Sequence, residues 1–190
     1  EWIWGYRENE PMGGRDPYSS SKGCAELVSS AYGRSFFEND GISLATARSG
    51  NVIGGGDWAK DRLIPDLLND LEKGLILQVR NANATRPWQH VLEPLSGYLI
   101  LAQKLYSEKS EFSGGWNFGP TDDGERTVGW IAETLAAKWG VVPQVVSQSG
   151  EHPHEANFLK LDISKAKQQL GWQPSWSLDT ALDKIVTWHK

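Results

Sequence analysis

Residues 42–56 read Ile42-Ser43-Leu44-Ala45-Thr46-Ala47-Arg48-Ser49-Gly50-Asn51-Val52-Ile53-Gly54-Gly55-Gly56. Ile42 to Ala47 is a short, partly β-branched run, the pattern of a buried parallel strand. Arg48 to Gly56 then forms a glycine-rich loop at the strand's carboxyl end, where open α/β sheets place their ligands. A helix precedes this strand. Asp16 suits its N-cap and Pro17 its first turn, and the helix is expected from residue 17 to about Glu38, stopping at Asn39-Asp40-Gly41.

Beyond the glycine loop the pattern alternates. Helices are expected over 62–73 (ended by Gly74), 94–106, 127–139 (followed by Gly140), 162–170 and 178–189. Short strands are expected over 75–79, 115–118 and 141–147. Residues 1–15 read as a polar loop, and neither repeats nor low-complexity tracts interrupt the chain. This is α/β class, with one crossover unit in front and a smaller mixed lobe behind.

Composition narrows the function. Of the 190 residues, 39% are hydrophobic and 23% charged, as in ordinary globular proteins. The net charge of −5 gives no support to nucleic-acid or anionic-membrane binding. A single cysteine, Cys24, excludes an internal disulfide and fits a reducing compartment. With no membrane-length apolar run and no signal-peptide pattern, a cytoplasmic location is expected. Most of the ten tryptophans are expected in the core or at a seam.

The chemistry centres on Tyr18 and Lys22, one helical turn apart and about 40° apart in projection. An ammonium within ~4–6 Å of a phenol favours the phenolate, so such a pair can pass a proton beside a hydride transfer. Cys24, Leu27, Val28 and Ala31 cluster on roughly the opposite side as an apolar stripe. Buried packing is therefore expected of Cys24 rather than nucleophilic chemistry, and the stripe fits either a core or a subunit interface. His152 and His154 stand two apart beside Glu151 and Glu155, but a proline intervenes and no recognisable metal pattern is completed. No metal site is expected.

Several spaced motifs carry a resemblance. Arg15-Asp16-Pro17-Tyr18-Ser19-Ser20-Ser21-Lys22, Arg48 to Gly54, Asp162-Ile163-Ser164-Lys165-Ala166 and Leu170-Gly171-Trp172-Gln173-Pro174 resemble the extended short-chain dehydrogenase/reductase family, which works on nucleotide sugars. Gly50 to Trp58, Thr85-Arg86-Pro87-Trp88-Gln89-His90-Val91 and His154-Glu155-Ala156-Asn157 are similar to its dehydratase branch. The resemblance runs nearly end to end. It implies an incomplete Rossmann-like parallel sheet over residues 1–60 with the active-site helix, and a nucleotide-sugar-binding lobe over 61–190. Part of 85–115 would return to the first of these.

It further implies NAD as cofactor and CDP-glucose as substrate. Carbon 4 would be oxidised, water lost across C5 and C6, and hydride returned to C6, on the route to deoxysugars of bacterial lipopolysaccharide O-antigen. Tyr18 would deprotonate the C4 hydroxyl, Lys22 would hold the nicotinamide ribose, and Ser49 would border the nicotinamide. Arg86 matches the family's phosphate-gripping arginine, and Arg62, ahead of Leu63-Ile64-Pro65, is the second choice. Asn51 and Asn117 fit either a sugar or phosphate contact or a turn. His154 fits a nucleotide-pocket residue or a loop cap.

The family's glycine-rich dinucleotide fingerprint is missing, and its dehydration acid and base fall upstream of Glu1. Gly54-Gly55-Gly56 is no substitute, since it opens no helix. The expectation is a piece of a longer enzyme, inactive alone, that needs an amino-terminal half in cis or trans and forms a homodimer or higher oligomer when complete. Two alternatives stay open: a related epimerase or dehydratase, or a binding fragment without chemistry.

Overall fold

The computed structural model of the chain describes residues 4–147 and 158–190. The first helix, α1 (Pro17–Tyr32), starts where the sequence predicts: the Ser19 backbone N–H donates to the Asp16 carboxylate at 2.9 Å. That contact satisfies one of the unpaired donors of the first turn. The Ser19 hydroxyl donates to the same carboxylate and holds it below its ordinary range. A π-helical turn, Gly33–Phe37, extends the helix almost to the predicted stop.

The strand that follows is split. β1 (Ala45–Ser49) and β2 (Asn51–Ile53) flank Gly50 and join different sheets. With β3 (Leu77–Val79), β4 (Thr85–His90), β5 (Gly114–Phe118), β6 (Glu125–Thr127) and β7 (Val145–Ser147), three small sheets arise among the described residues. β1 pairs in parallel with β5, placing Ser49 opposite Phe118. β2 pairs in parallel with β4, placing Asn51 opposite Trp88, and β6 adds antiparallel to β4. β3 and β7 form a separate parallel pair. At Gly50 an added Cβ would stand 2.5 Å from the Pro87 carbonyl oxygen. Only a residue without a side chain lets the chain cross there. Thr85–His90, which the sequence offered as a motif, is thus a strand central to its sheet.

Four further helices, α2 (Leu63–Glu72), α3 (Leu92–Glu108), α4 (Val128–Trp139) and α5 (Leu178–His189), cover the strands. Their apolar faces build two cores. In one, Ile64, Leu67 and Leu68 of α2 meet Ile131 and Leu135 of α4, Leu182 and Ile185 of α5, and Trp88 of β4. In the other, Leu101 of α3 meets Trp116 and Phe118 of β5, with Ile163, Leu170 and Trp172 from beyond it. Each such side chain contributes about 1.5–3 kcal/mol when removed from water. The result is a mixed α/β protein with parallel Rossmann-like strand pairing, as the alternating pattern predicts. Among the described residues no helix is long and apolar enough to cross a membrane.

Two expectations need correction. Cys24 is exposed, and so are Leu27 and Val28, so the stripe on α1 is not a core stripe within this chain. The reason is that α1 is held by polar contacts and buries only Gly23, against the Gly13 backbone. The tryptophans also divide: Trp88, Trp116 and Trp172 are buried, while Trp4, Trp58 and Trp188 are largely exposed. Trp188 lies flat on the loop at Gly55 and Gly56, with its ring 6.0 Å from that of Trp58.

Candidate functional site

Tyr18 stands on the first turn of α1 with its side chain 71% exposed. Lys22, one turn on, places its ammonium 5.6 Å from the centre of the Tyr18 ring. Helical spacing brings the two together, and the phenol hydroxyl faces solvent without a hydrogen-bond partner among the described residues. A phenol and an ammonium presented side by side can hand a proton to or from a hydroxyl group and donate to a ribose.

The same helix face is fixed to the sheet by contacts that the sequence reading passed over. Glu26, one turn beyond Lys22, receives Arg48 Nε at 2.7 Å, Arg48 Nη2 at 2.9 Å and the Thr46 hydroxyl at 2.6 Å. Arg48 holds the Glu26 carboxyl below the ordinary carboxylate range. The remaining fork of Arg48, Nη1, donates to the Glu8 carbonyl at 3.0 Å.

Ser49, next along β1, shares a short hydrogen bond with the Tyr98 hydroxyl of α3. Tyr98 in turn packs edge-on against Phe118 at 5.3 Å. Asn117 of β5 is only 1% exposed. Its amide donates to the carbonyls of Tyr6 (2.9 Å) and Asp162 (3.3 Å), and its backbone N–H donates to Glu8 Oε1 at 2.9 Å. Asn117 therefore ties the incoming segment at Tyr6 to the segment at Asp162, with its Oδ1 buried and without a hydrogen-bond partner among the described residues.

The other predicted residues are spread along the second sheet. Asn51 opens β2, half-buried. Arg86 lies in β4, two residues before Asn51's partner Trp88, and donates to the Thr85 carbonyl at 3.0 Å. Arg62 sits apart, exposed, at the N-cap position of α2. His154 lies outside the described residues, as do Glu151, His152 and Glu155. Among the described residues no three His, Cys, Asp or Glu side chains gather as a metal site. The structure thus brings together Tyr18 with Lys22; Ser49 and Asn117 lie one register position apart on opposite faces of the β1–β5 pair, and Asn51 and Arg86 lie in the neighbouring strands β2 and β4, two positions out of register.

Two buried polar groups beside β4 also escaped sequence reading. Glu93, 5% exposed, accepts the backbone N–H groups of Ser175 at 2.7 Å and Trp176 at 3.1 Å. The His90 ring packs at a tilt against Trp176, 4.9 Å between centres, and burial pushes its pKa below the ordinary histidine value. Both hold the start of α3 to the 175–176 loop.

An adjacent Tyr–Lys pair on the helix before a parallel strand, with a glycine loop at that strand's end, is the arrangement that the resemblance to Rossmann-like short-chain dehydrogenases leads one to expect. The family model described as GDP-mannose 4,6 dehydratase matches residues 4–185, and the chain belongs to that family. It is 58% identical over 195 residues to the CDP-glucose 4,6-dehydratase of Salmonella typhimurium, covering 100% of this chain and 54% of that protein. It is 24% identical to the dTDP-glucose 4,6-dehydratase of Streptomyces antibioticus, over 96% of this chain and 51% of that one. The chain spans about half the length of the curated relatives it matches.

Solved structures show the same fold. The dTDP-glucose 4,6-dehydratase of Bacillus anthracis, in complex with NAD, superposes with a TM-score of 0.81 at 19% identity, over 98% of this chain and 56% of that one. The UDP-glucuronic acid 4-epimerase of Bacillus cereus gives 0.85 at 20% identity, over 99% and 57%.

Proposed function

We propose that this chain is the carboxyl-terminal portion of a CDP-glucose 4,6-dehydratase, a lyase that converts CDP-glucose to CDP-4-keto-6-deoxyglucose. The observation that carries this reading is the gap between 58% identity to a CDP-glucose enzyme and 24% to a dTDP-glucose enzyme over nearly the same stretch. Fold likeness alone supports epimerases equally well.

In this reading Tyr18 takes the proton of the substrate's C4 hydroxyl, and its exposure on the outer face of α1 supports that role. Lys22 donates to the nicotinamide ribose, and Ser49, held by Tyr98, borders the nicotinamide. These residues fit the ribose–nicotinamide end of NAD, because a phenol with no hydrogen-bond partner among the described residues and an ammonium stand together, exposed, on the helix that precedes β1. The described residues include no glycine-rich strand–turn–helix for the other end, which falls to an amino-terminal half supplied in cis or trans. With NAD bound, a hydride would leave C4 for the cofactor and the same hydride would be given back at C6, so that the cofactor ends as it began.

Arg86 and Arg62 serve the pyrophosphate, Asn51 the sugar or a phosphate, and His154 the nucleotide pocket. Asn117 serves the same side by holding the segments around Tyr6 and Asp162. The division we favour puts residues 1–60 in the nucleotide-binding lobe and 61–190 in the sugar lobe, with part of 85–115 returning to the first. The complete enzyme would work in the cytoplasm as a homodimer or higher oligomer, feeding deoxysugar synthesis for lipopolysaccharide O-antigen.

The test joins this chain to the nucleotide-binding half of the Salmonella relative and supplies CDP-glucose and NAD. A 4-keto-6-deoxy product is expected, with no turnover by the chain alone. A C4 epimer, or no sugar product from the joined enzyme, refutes the reading.

A further inference from the structure

Tyr18, Lys22 and Glu26 follow one another at four-residue spacing on α1, so they occupy one face with about 40° of rotation between successive side chains. The upper two are exposed and make no contact that fixes the helix. The third is locked. Its two carboxylate oxygens receive both a parallel fork from Arg48 and the Thr46 hydroxyl, with distances of 2.6 to 2.9 Å. Fork-to-fork pairs of this kind combine strength with a fixed orientation. The side chains are sheltered, with 23% of Arg48 and 17% of Glu26 exposed. This is therefore not the solvent-exposed type of ion pair, which contributes ~0–1 kcal/mol.

The rest of α1 gives this clasp its importance. A surface helix is ordinarily held in rotation by an apolar face seated in a core. Here Gly23 is the one buried residue of α1, and Leu27 and Val28 stand out in solvent. Among the described residues, the clasp is the side-chain tie between α1 and the sheet. It grips β1 at Thr46 and Arg48, one residue before Ser49, and Arg48 simultaneously holds the Glu8 carbonyl. The helix face, the strand end and the incoming segment therefore meet at one guanidinium.

We propose that Glu26 is a positioning residue: through Arg48 and Thr46 it sets the roll of α1 against β1, and so the direction in which Tyr18 and Lys22 are presented. The catalytic consequence rests on the dehydratase reading above. A side-chain tip about 6 Å from the helix axis moves about 1 Å when the helix rolls by roughly 10°. A displacement of that size can cost on the order of 100-fold in rate. Glu26 touches neither substrate nor cofactor in this account and acts only through the two residues above it.

The test has two arms. In the chain itself, amide hydrogen exchange is followed in Glu26→Gln and Arg48→Lys, with Lys104→Ala as control because its partners, Glu108 and the ring of Phe112, lie away from α1. Glu26→Gln and Arg48→Lys are expected to speed exchange of the Ser21–Glu26 amides by at least about tenfold while α4 and α5 keep their protection. In the enzyme completed with the Salmonella nucleotide-binding half, Glu26→Gln is expected to lower kcat by roughly 10- to 100-fold. KM for CDP-glucose should stay within about twofold, because a misdirected Tyr18 harms the transition state more than binding. The exchanged pair Glu26→Arg with Arg48→Glu should recover part of kcat. Unchanged α1 exchange in Glu26→Gln overturns the inference whatever reaction the enzyme runs. Equal losses in kcat and in thermal stability, with no recovery in the exchanged pair, reduce Glu26 to a structural role and also overturn it. Absence of the 4-keto product from the unmutated joined enzyme instead sinks the dehydratase reading, and the exchange arm still decides the clasp.

Discussion

Replacing Gly97 by alanine sets two effects of known sign against each other. Gly97 lies inside α3, where alanine is the better helix former by about 1 kcal/mol. On propensity alone the substitution stabilises. The packing argues the opposite way. A Cβ at Gly97 would stand 2.3 and 2.4 Å from two ring atoms of Phe118 and 3.2 Å from Trp172. Neither ring can yield easily: Phe118 is 0% exposed and sits edge-on between Tyr98 at 5.3 Å and Trp172 at 5.0 Å. Overpacking a filled core costs typically ~1–3 kcal/mol, and the depth of this overlap favours the upper end. Subtracting the helix gain leaves a net loss of about 2 kcal/mol. For a chain of this size that lowers Tm by about 4–8 °C. Thermal unfolding followed by near-ultraviolet circular dichroism reads the shift directly. Combining Gly97→Ala with Phe118→Leu should recover at least about 1 kcal/mol relative to additivity, since the smaller side chain opens the space. A Gly97→Ala protein that melts at or above the parent temperature would refute the close approach of α3 to β5.

Three further outcomes are expected. Tyr18→Phe should abolish 4-keto product formation in the completed enzyme while leaving Tm within about 1 °C, because an exposed hydroxyl with no partner contributes little to folding; loss of folding would contradict the exposure. Asn117→Ala should cost about 1–3 kcal/mol in urea unfolding, because it strips a donor from the Tyr6 and Asp162 carbonyls; an unchanged midpoint would show that the amide does not hold these segments. Stability should fall with acid in two stages. His90 has a depressed pKa, so the unfolded chain takes up its proton first as pH drops through about 6.5, and stability falls from there. Glu26 is also depressed, so its contribution is complete above about 4.3 and is lost as pH falls further. His90→Gln should remove the upper stage and Glu26→Gln should weaken the lower one, as read from urea midpoints between about pH 3 and 8.

Features that depend on local chemistry were the most legible in the sequence. Asp16, Pro17 and the apolar periodicity located α1, and glycine punctuation located the ends of α2 and α4. The strand before Gly50 was visible, though its frame shifted from 42–47 to Ala45–Ser49, because β-branched Ile42 looked more strand-like than Arg48 or Ser49. Thr85–His90 was read only as a motif because a proline and four polar side chains hide a strand that is paired on both edges and lacks apolar alternation. Asn117, between Trp116 and Phe118 with glycines on either side, looked as much like a turn as a ligand. In the fold it is a buried tie whose partners are 111 and 45 residues away. Glu26 had one faint signal, its place four residues after Lys22. Nothing in that spacing announces Arg48, because the pair closes only when strand and helix meet. Cys24 shows the converse limit: an apolar stripe reveals that a face seeks cover, not what covers it.

Gly50 has one more consequence. Ser49 belongs to the β1–β5 sheet and Asn51 to the β2–β4–β6 sheet, against which α5 and α4 pack, so a single residue without a side chain spans the seam between them. Any rocking of one sheet against the other must twist the chain at that link. The groups on its two sides are therefore geared together, and neither can swing without dragging its neighbour along.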